Sequence, residues 1–168
     1  MLDKSQTLET AEACGIPLPM TFQVLNIAVL EGLRGDLHFP VIAKPRSKVD
    51  ERRHTFKTRY FATYQELRDA FLGNTQFDVE NLLQEYCSGV GVGIEVLLHD
   101  GEALALFQHR RMKELPVSGG GSVFCISEPL NHMLAELAVT LLLALEWQGV
   151  AMSNSATTRA AKGRYSWK

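Results

Sequence analysis

Residues 92 to 112 read VGIEVLLHDGEALALFQHRRM. Two apolar runs, each long enough for a strand, meet at Asp100-Gly101. Asp-Gly tolerates positive φ at the centre of a two-residue turn, so the stretch reads as an antiparallel hairpin. Antiparallel strands joined this way need no helical crossover. The neighbouring segments agree. "NLLQEY" (81–86) is a strand, "PVSGGGSVFCI" (116–126) is a Gly-rich turn leading into another, and "QGVAM" (148–152) begins one more. Between them, Glu128 to Trp147 is the longest helix, started near Pro129.

The first half mixes the two element types. "DKSQTLETAEACGIPLP" (3–19) has Asp3 as N-cap, a helical register, and a stop at Gly15 and Pro17. "LNIAVLEGL" (25–33) reads as a second helix, broken by Gly35 and Asp36. "FPVIAKP" (39–45) and "KTRYFA" (57–62) are short strands. "TYQELRDAFLG" (63–73) is a helix capped by Thr63, with Glu66 at the capping-box position. Segregated elements with one long hairpin predict an α+β fold with antiparallel sheets, not a doubly wound sheet.

Composition narrows the class. The chain has 168 residues, 46% hydrophobic and 21% charged, which is one ordinary domain or two small lobes. Net charge is -2, so nothing marks the chain as a nucleic-acid or membrane-surface binder. The apolar run Leu134 to Trp147 carries Glu136 and Glu146 and is too short to span a bilayer. Cys14, Cys87 and Cys125 are odd in number and lack metal-ligand spacing, so reduced thiols and a cytoplasmic location are expected.

Three stretches carry candidate chemistry. Lys44 ends an apolar strand and is either a solvated strand end or an inward cation for an anion, and Pro45 then fixes the exit direction. Residues 46 to 59 add Arg46, Lys48, Arg52, Arg53, Lys57 and Arg59. In "LLQEYCSGVGVG" (82–93), Gly89, Gly91 and Gly93 either admit a ligand to the backbone or form a bulged strand. That spacing is not a dinucleotide fingerprint, since no helix follows. In "FQHRRMKELPVSGGGS" (107–122), Arg110, Arg111 and Lys113 leave a strand before three glycines. Guanidinium groups with backbone amides suit phosphate or carboxylate, and a solvated cationic strand end is the alternative.

In this order, Asp3-Lys4, "GIPLP", "FPVIAKP", "LLQEY" with its glycines, and the hairpin running into "FQHRR" and "GGGS" resemble ATP-grasp proteins over residues 3 to 152. The likeness is to the carbamoyl-phosphate-synthase-like domains grouped with carboxylate–amine ligases. It implies an N-terminal lobe at 1–82, a C-terminal lobe at 83–152 and ATP between them. Lys44 resembles the family's phosphate-contacting lysine, with Lys4 a further lysine near the nucleotide. Gln84 to Cys87 resembles the hinge. There Glu85 would accept from the adenine amino group, and the backbone of Tyr86 and Cys87 would read the adenine edge. Arg110 and Arg111 resemble phosphate- or acyl-phosphate-side cations. The implied reaction activates a small-molecule carboxylate by γ-phosphoryl transfer for attack by an amine or thiol, with magnesium neutralising the phosphate. A preceding α/β domain is also usual in the family.

The chain departs from that pattern in the loop after Lys44, which uses cations where relatives use glycine. Glu95 is the only candidate near the ribose position. After "GVAM" the family continues with a carboxylate and then a strand ending in Glu-x-Asn, which together hold magnesium. Here "SNSATTRAAKGRYSWK" (153–168) follows, with no Asp or Glu after Glu146. Magnesium ligands are therefore expected to be missing, and ligase turnover with them. Restoring one nucleotide after the Met152 codon, with four-codon Ser and Arg sets, changes that tail. Position 153 becomes Val, Ile, Leu or Phe, position 154 Glu, Lys or Gln, and position 155 Phe or Leu. The junction of Trp167 and Lys168 becomes Glu. Residues 153–168 are accordingly expected to be a frameshifted tail. An unpaired sheet edge near Gln148 to Met152 is expected to favour self-association. The rival reading is a non-enzymatic α+β binding module whose basic loop contacts an acidic partner.

Overall fold

The computed structural model describes residues 4–46, 58–77, 79–115, 121–157 and 165–167. The chain divides into two compact units. One comprises Met1–Ser5 with Pro19–Tyr86, the other Gln6–Leu18 with Cys87–Lys168. Helix α1 (Lys4–Ala13) stops before Gly15, whose φ of +69° is left-handed backbone that glycine adopts without a Cβ clash. Asp3 lies outside the described residues.

The first unit is a four-stranded sheet. Its strands are β1 (Thr21–Val24), β2 (Val41–Pro45), β3 (Arg59–Phe61) and β4 (Asn81–Glu85), in the order β1-β4-β2-β3. All three pairings are antiparallel. Strand β1 was not expected. Four residues are too few to display a period, and only pairing with β4 settles the conformation. Helix α2 (Ile27–Gly32) is capped by Asn26, whose Oδ1 accepts from the Val29 amide at 3.0 Å. Helix α3 (Tyr64–Gly73) is capped as expected: Thr63 Oγ1 accepts from the Glu66 amide at 3.3 Å. The Glu66 carboxylate reaches back one residue beyond the cap, to the Ala62 amide at 2.9 Å.

Strand alternation gives this sheet two unlike faces. Val24, Val41, Ala43, Phe61 and Leu83 join Leu30, Leu67 and Phe77 in a buried core. Residues paired directly across strands share a face. Ile42 pairs with Gln84 and Tyr60, Gln84 with Thr21, and Lys44 with Leu82, so these residues line the other face.

The second unit is built on the hairpin. Strands β5 (Val90–His99) and β6 (Glu102–Leu115) turn at Asp100 and Gly101, with φ of 47° and 81°, as the Asp-Gly signal predicts. Strands β7 (Gly121–Ser127), β8 (Gly149–Thr157) and β9 (Tyr165–Trp167) complete a five-stranded antiparallel sheet, β7-β6-β5-β8-β9. Helix α4 (His132–Ala144) starts three residues after Pro129, because the Asn131 side chain caps it by accepting from the Leu134 amide at 3.2 Å. Its Leu134, Ala138, Leu141 and Leu142 share a core with Val92, Ile94, Val96 and Leu98 of β5. That helix is shorter at both ends than the Glu128–Trp147 expectation, since apolar composition runs past the caps.

Strand β8 continues through Ser153 without a break, paired with β5 from Gly149↔Leu98 to Thr157↔Val90. On its other side, β9 pairs only with residues 155 to 157. Among the described residues no strand covers that edge from 149 to 154. The fold is therefore α+β with two antiparallel sheets. Cys14, Cys87 and Cys125 are not in disulfides, and no described helix is long and apolar enough to cross a membrane.

Candidate nucleotide site

In the first unit, the end of β2 gathers two lysines. The Lys4 ammonium donates to the Pro45 carbonyl at 2.6 Å, which brings the first turn of α1 to the residue after Lys44. The Lys44 ammonium donates to Gln84 Oε1 at 2.8 Å. The amide end of Gln84 donates to Thr21 Oγ1 at 3.0 Å, and the Thr21 hydroxyl donates to the Pro19 carbonyl at 2.9 Å. Gln84 is 5% exposed. A buried carboxamide of fixed orientation therefore meets Lys44 with its oxygen. Lys44 is thus not a loosely solvated strand end. It lies half-buried on the face opposite the core.

Glu85 is exposed at the end of β4. Its backbone amide donates to the Met20 carbonyl at 2.9 Å and the Tyr86 amide to the Pro40 carbonyl at 3.1 Å. The Tyr86 N–H is thereby engaged within the first unit, and its carbonyl is the part of that backbone left to the expected adenine contact. The Tyr86 ring packs edge-on against Tyr60 at 5.7 Å. Cys87 is half-buried and begins the second unit's main segment. A pocket beside Glu85 is lined by Met20, Phe22, Leu37, His38, Val41 and Gln84.

The described ends of the basic loop are engaged within the first unit. Arg46 forms an ion pair with Glu80, and the Arg59 guanidinium lies over Phe61 and Phe77 at 5.4 and 5.5 Å. Lys48, Arg52, Arg53 and Lys57 lie outside the described residues, and so do Gly119 and Gly120 of the glycine run.

In the second unit, alternation along β6 sends Arg110 and Arg111 to opposite faces. They therefore do not form one cationic pair. Arg110 shares a face with Val92, on the core side, and pairs with Glu128. Gln108 joins that cluster: its Oε1 accepts from the Asn131 amide at 2.7 Å, tying β6 to the entry of α4. This is an anchoring network. Arg111 instead lies on the face away from the core, where its guanidinium donates to Asn154 Oδ1 and stands 3.5 Å from the Glu114 carboxylate.

That face explains two glycines. A Cβ on Gly91 would sit 2.9 Å from Arg111 Cδ, and one on Gly93 would sit 2.3 Å from His109 Cε1. The absent side chains of β5 make the room that the Arg111 and His109 side chains of β6 occupy. His109 Nδ1 in turn lies 3.1 Å from Glu95 Oε1. Sequence reading had proposed Glu95 alone and missed its His109 partner, as it missed Asn154 beside Arg111. No local motif links them, and only strand register does.

No family model matches the chain, and no curated protein matches it. Solved structures do. One is the D-Ala:D-Ser ligase VanG from Enterococcus faecalis, 20% identical with a TM-score of 0.70, over 98% of this chain and 50% of that one. Another is the ADP complex of the N5-carboxyaminoimidazole ribonucleotide synthetase PurK, 14% identical with a TM-score of 0.75, over 99% and 43%. A third is the ATP-grasp ligase PsnB with precursor peptide and AMPPNP, 13% identical with a TM-score of 0.68, over 98% and 47%. The chain spans about half the length of these structures. At such identities the likeness establishes the fold.

Proposed function

We propose, starting from a fold shared with ATP-grasp ligases, that this chain is an ATP-binding domain of a carboxylate-activating ligase. The observation that carries the reading is the Lys44 ammonium, oriented by buried Gln84 at a strand end that Lys4 also reaches. Two cations at one strand end favour a polyanion such as a triphosphate. Glu85, exposed at the end of the neighbouring strand, accepts from the adenine amino group. The Tyr86 backbone is a further contact to the base, and in the second unit Cys87 and Arg111 are the residues that the family resemblance would assign to the base and to the transferred phosphoryl group. Arg110, held by Glu128 on the core side, has no part in this reading beyond anchoring α4.

In the reaction class, a carboxylate oxygen bonds to the γ-phosphorus as the bond to ADP breaks. An amine or thiol then adds to the acyl carbon, and phosphate leaves with its electron pair. Magnesium would neutralise phosphate oxygens in such chemistry. Among the described residues no three His, Cys, Asp or Glu side chains converge. The carboxylates on the Arg111 face, Glu95 and Glu114, already contact His109 and Arg111. Engaged in this way, Glu95 and Glu114 do not compose a magnesium site.

The test is thermal unfolding of the 168-residue chain with ATP, with and without magnesium. ATP at 100 times its Kd raises stability by about 2.7 kcal/mol, a shift of several degrees. The Lys44→Met chain shifts far less, and omitting magnesium leaves most of the parent's shift. No response of the parent chain to millimolar ATP would refute the reading.

A further inference from the structure

We infer that strand β8 is translated out of frame from residue 153 onward, and that its backbone register belongs to a sequence with apolar residues at 153 and 155 and Glu at 154. The evidence is in the pairing. Ser153 pairs with Ile94 and Ser155 with Val92, so both serines face the core that β5 and α4 share. They are 5% and 1% exposed, and neither hydroxyl has a hydrogen-bond partner among the described residues. A buried hydroxyl without a partner is destabilising, and native cores rarely tolerate one. Two in alternate positions of one strand, both on the face of Val92 and Ile94, contradict the pattern that Ala151, the previous residue on that face, obeys.

Restoring one nucleotide before the Ser153 codon removes the contradiction at both places. With four-codon serines, position 153 must become Val, Ile, Leu or Phe, and position 155 must become Phe or Leu. The restored frame, which makes any four-codon serine apolar, thus returns apolar residues at the two positions that the fold buries. It also returns a polar residue, Glu, Lys or Gln, at the one between them.

The structure then chooses among those three. Position 154 pairs with Gly93 and lies on the face of Arg111, whose guanidinium donates to the Asn154 side-chain oxygen. Lys would set two cations together, whereas Glu keeps an acceptor there and adds a charge-assisted bond.

Two experiments decide it. The nucleotide sequence over codons 152 to 157 must, with one base restored, encode an apolar residue at 153, Glu at 154 and Phe or Leu at 155. A stop, or a polar residue at 153 or 155, overturns the inference. Independently, thermal unfolding compares the parent with Ser153→Val/Ser155→Leu and with the smaller Ser153→Ala/Ser155→Ala. The expected result is a midpoint raised by several degrees in at least the alanine pair, which adds no volume to overpack. Asn154→Val, on the other face, gives no rise. Midpoints at or below the parent for both serine pairs would show the hydroxyls to be accommodated and overturn the reading.

Discussion

Gly93→Ala is the substitution with the clearest structural consequence. The new Cβ would lie 2.3 Å from His109 Cε1 and 2.6 Å from Nε2, against about 3.5–4.0 Å for an ordinary carbon contact. The ring must therefore move by more than about 1 Å. It has little room, since the His109 side chain is 8% exposed and stands against Glu95 at 3.1 Å. Overpacking of this kind costs about 1–3 kcal/mol, and loss of the Glu95 contact adds to it. Replacing a strand glycine returns about 0.5–1 kcal/mol of backbone entropy. The balance is about 1–3 kcal/mol of destabilisation, or a fall of about 2–12 °C in a chain of this size. Urea unfolding followed by tryptophan fluorescence measures it, and a cycle with His109→Ala isolates the clash. In the His109→Ala background, Gly93→Ala should cost at least about 1 kcal/mol less than in the parent. A Gly93→Ala chain within about 0.5 kcal/mol of the parent, or strict additivity in the cycle, refutes the close approach of β5 and β6 at this point.

Other outcomes follow from individual contacts. Gln84→Leu removes the acceptor for Lys44 and the donor to Thr21. Calorimetry should show ATP affinity weakened about tenfold, roughly 1.4 kcal/mol, while Gln84→Glu keeps the acceptor and most of the affinity. Unchanged affinity in the Leu chain would show that Gln84 does not orient Lys44. Thr63→Ala deletes the α3 cap and should lower stability by about 1 kcal/mol in urea titrations. The edge of β8 from 149 to 154 should pair with a second copy, visible as concentration-dependent sedimentation. Val150→Lys should suppress that association, and a parent chain that stays monomeric at every concentration removes the idea.

Local signals were legible where one short stretch contains the whole cause. Asp100-Gly101 dictates its turn because the φ values it needs are intrinsic to those residues. Thr63 caps α3 because its hydroxyl and the orphan amide are three residues apart. From such elements the sequence alone determined the α+β class, the hairpin, the long helix and a lysine at the end of an apolar strand. Strand β1 was invisible because four residues acquire their conformation from a partner sixty residues away. For the same reason, adjacency misled at Arg110 and Arg111, whose side chains the pleat sends to opposite faces. Tertiary structure alone decided that Gln84 meets Lys44, that His109 lies over Gly93, and that Ser153 and Ser155 are buried among aliphatic side chains. Each of these depends on pairing between distant strands, and register across a sheet is a property of two segments together, which neither carries by itself.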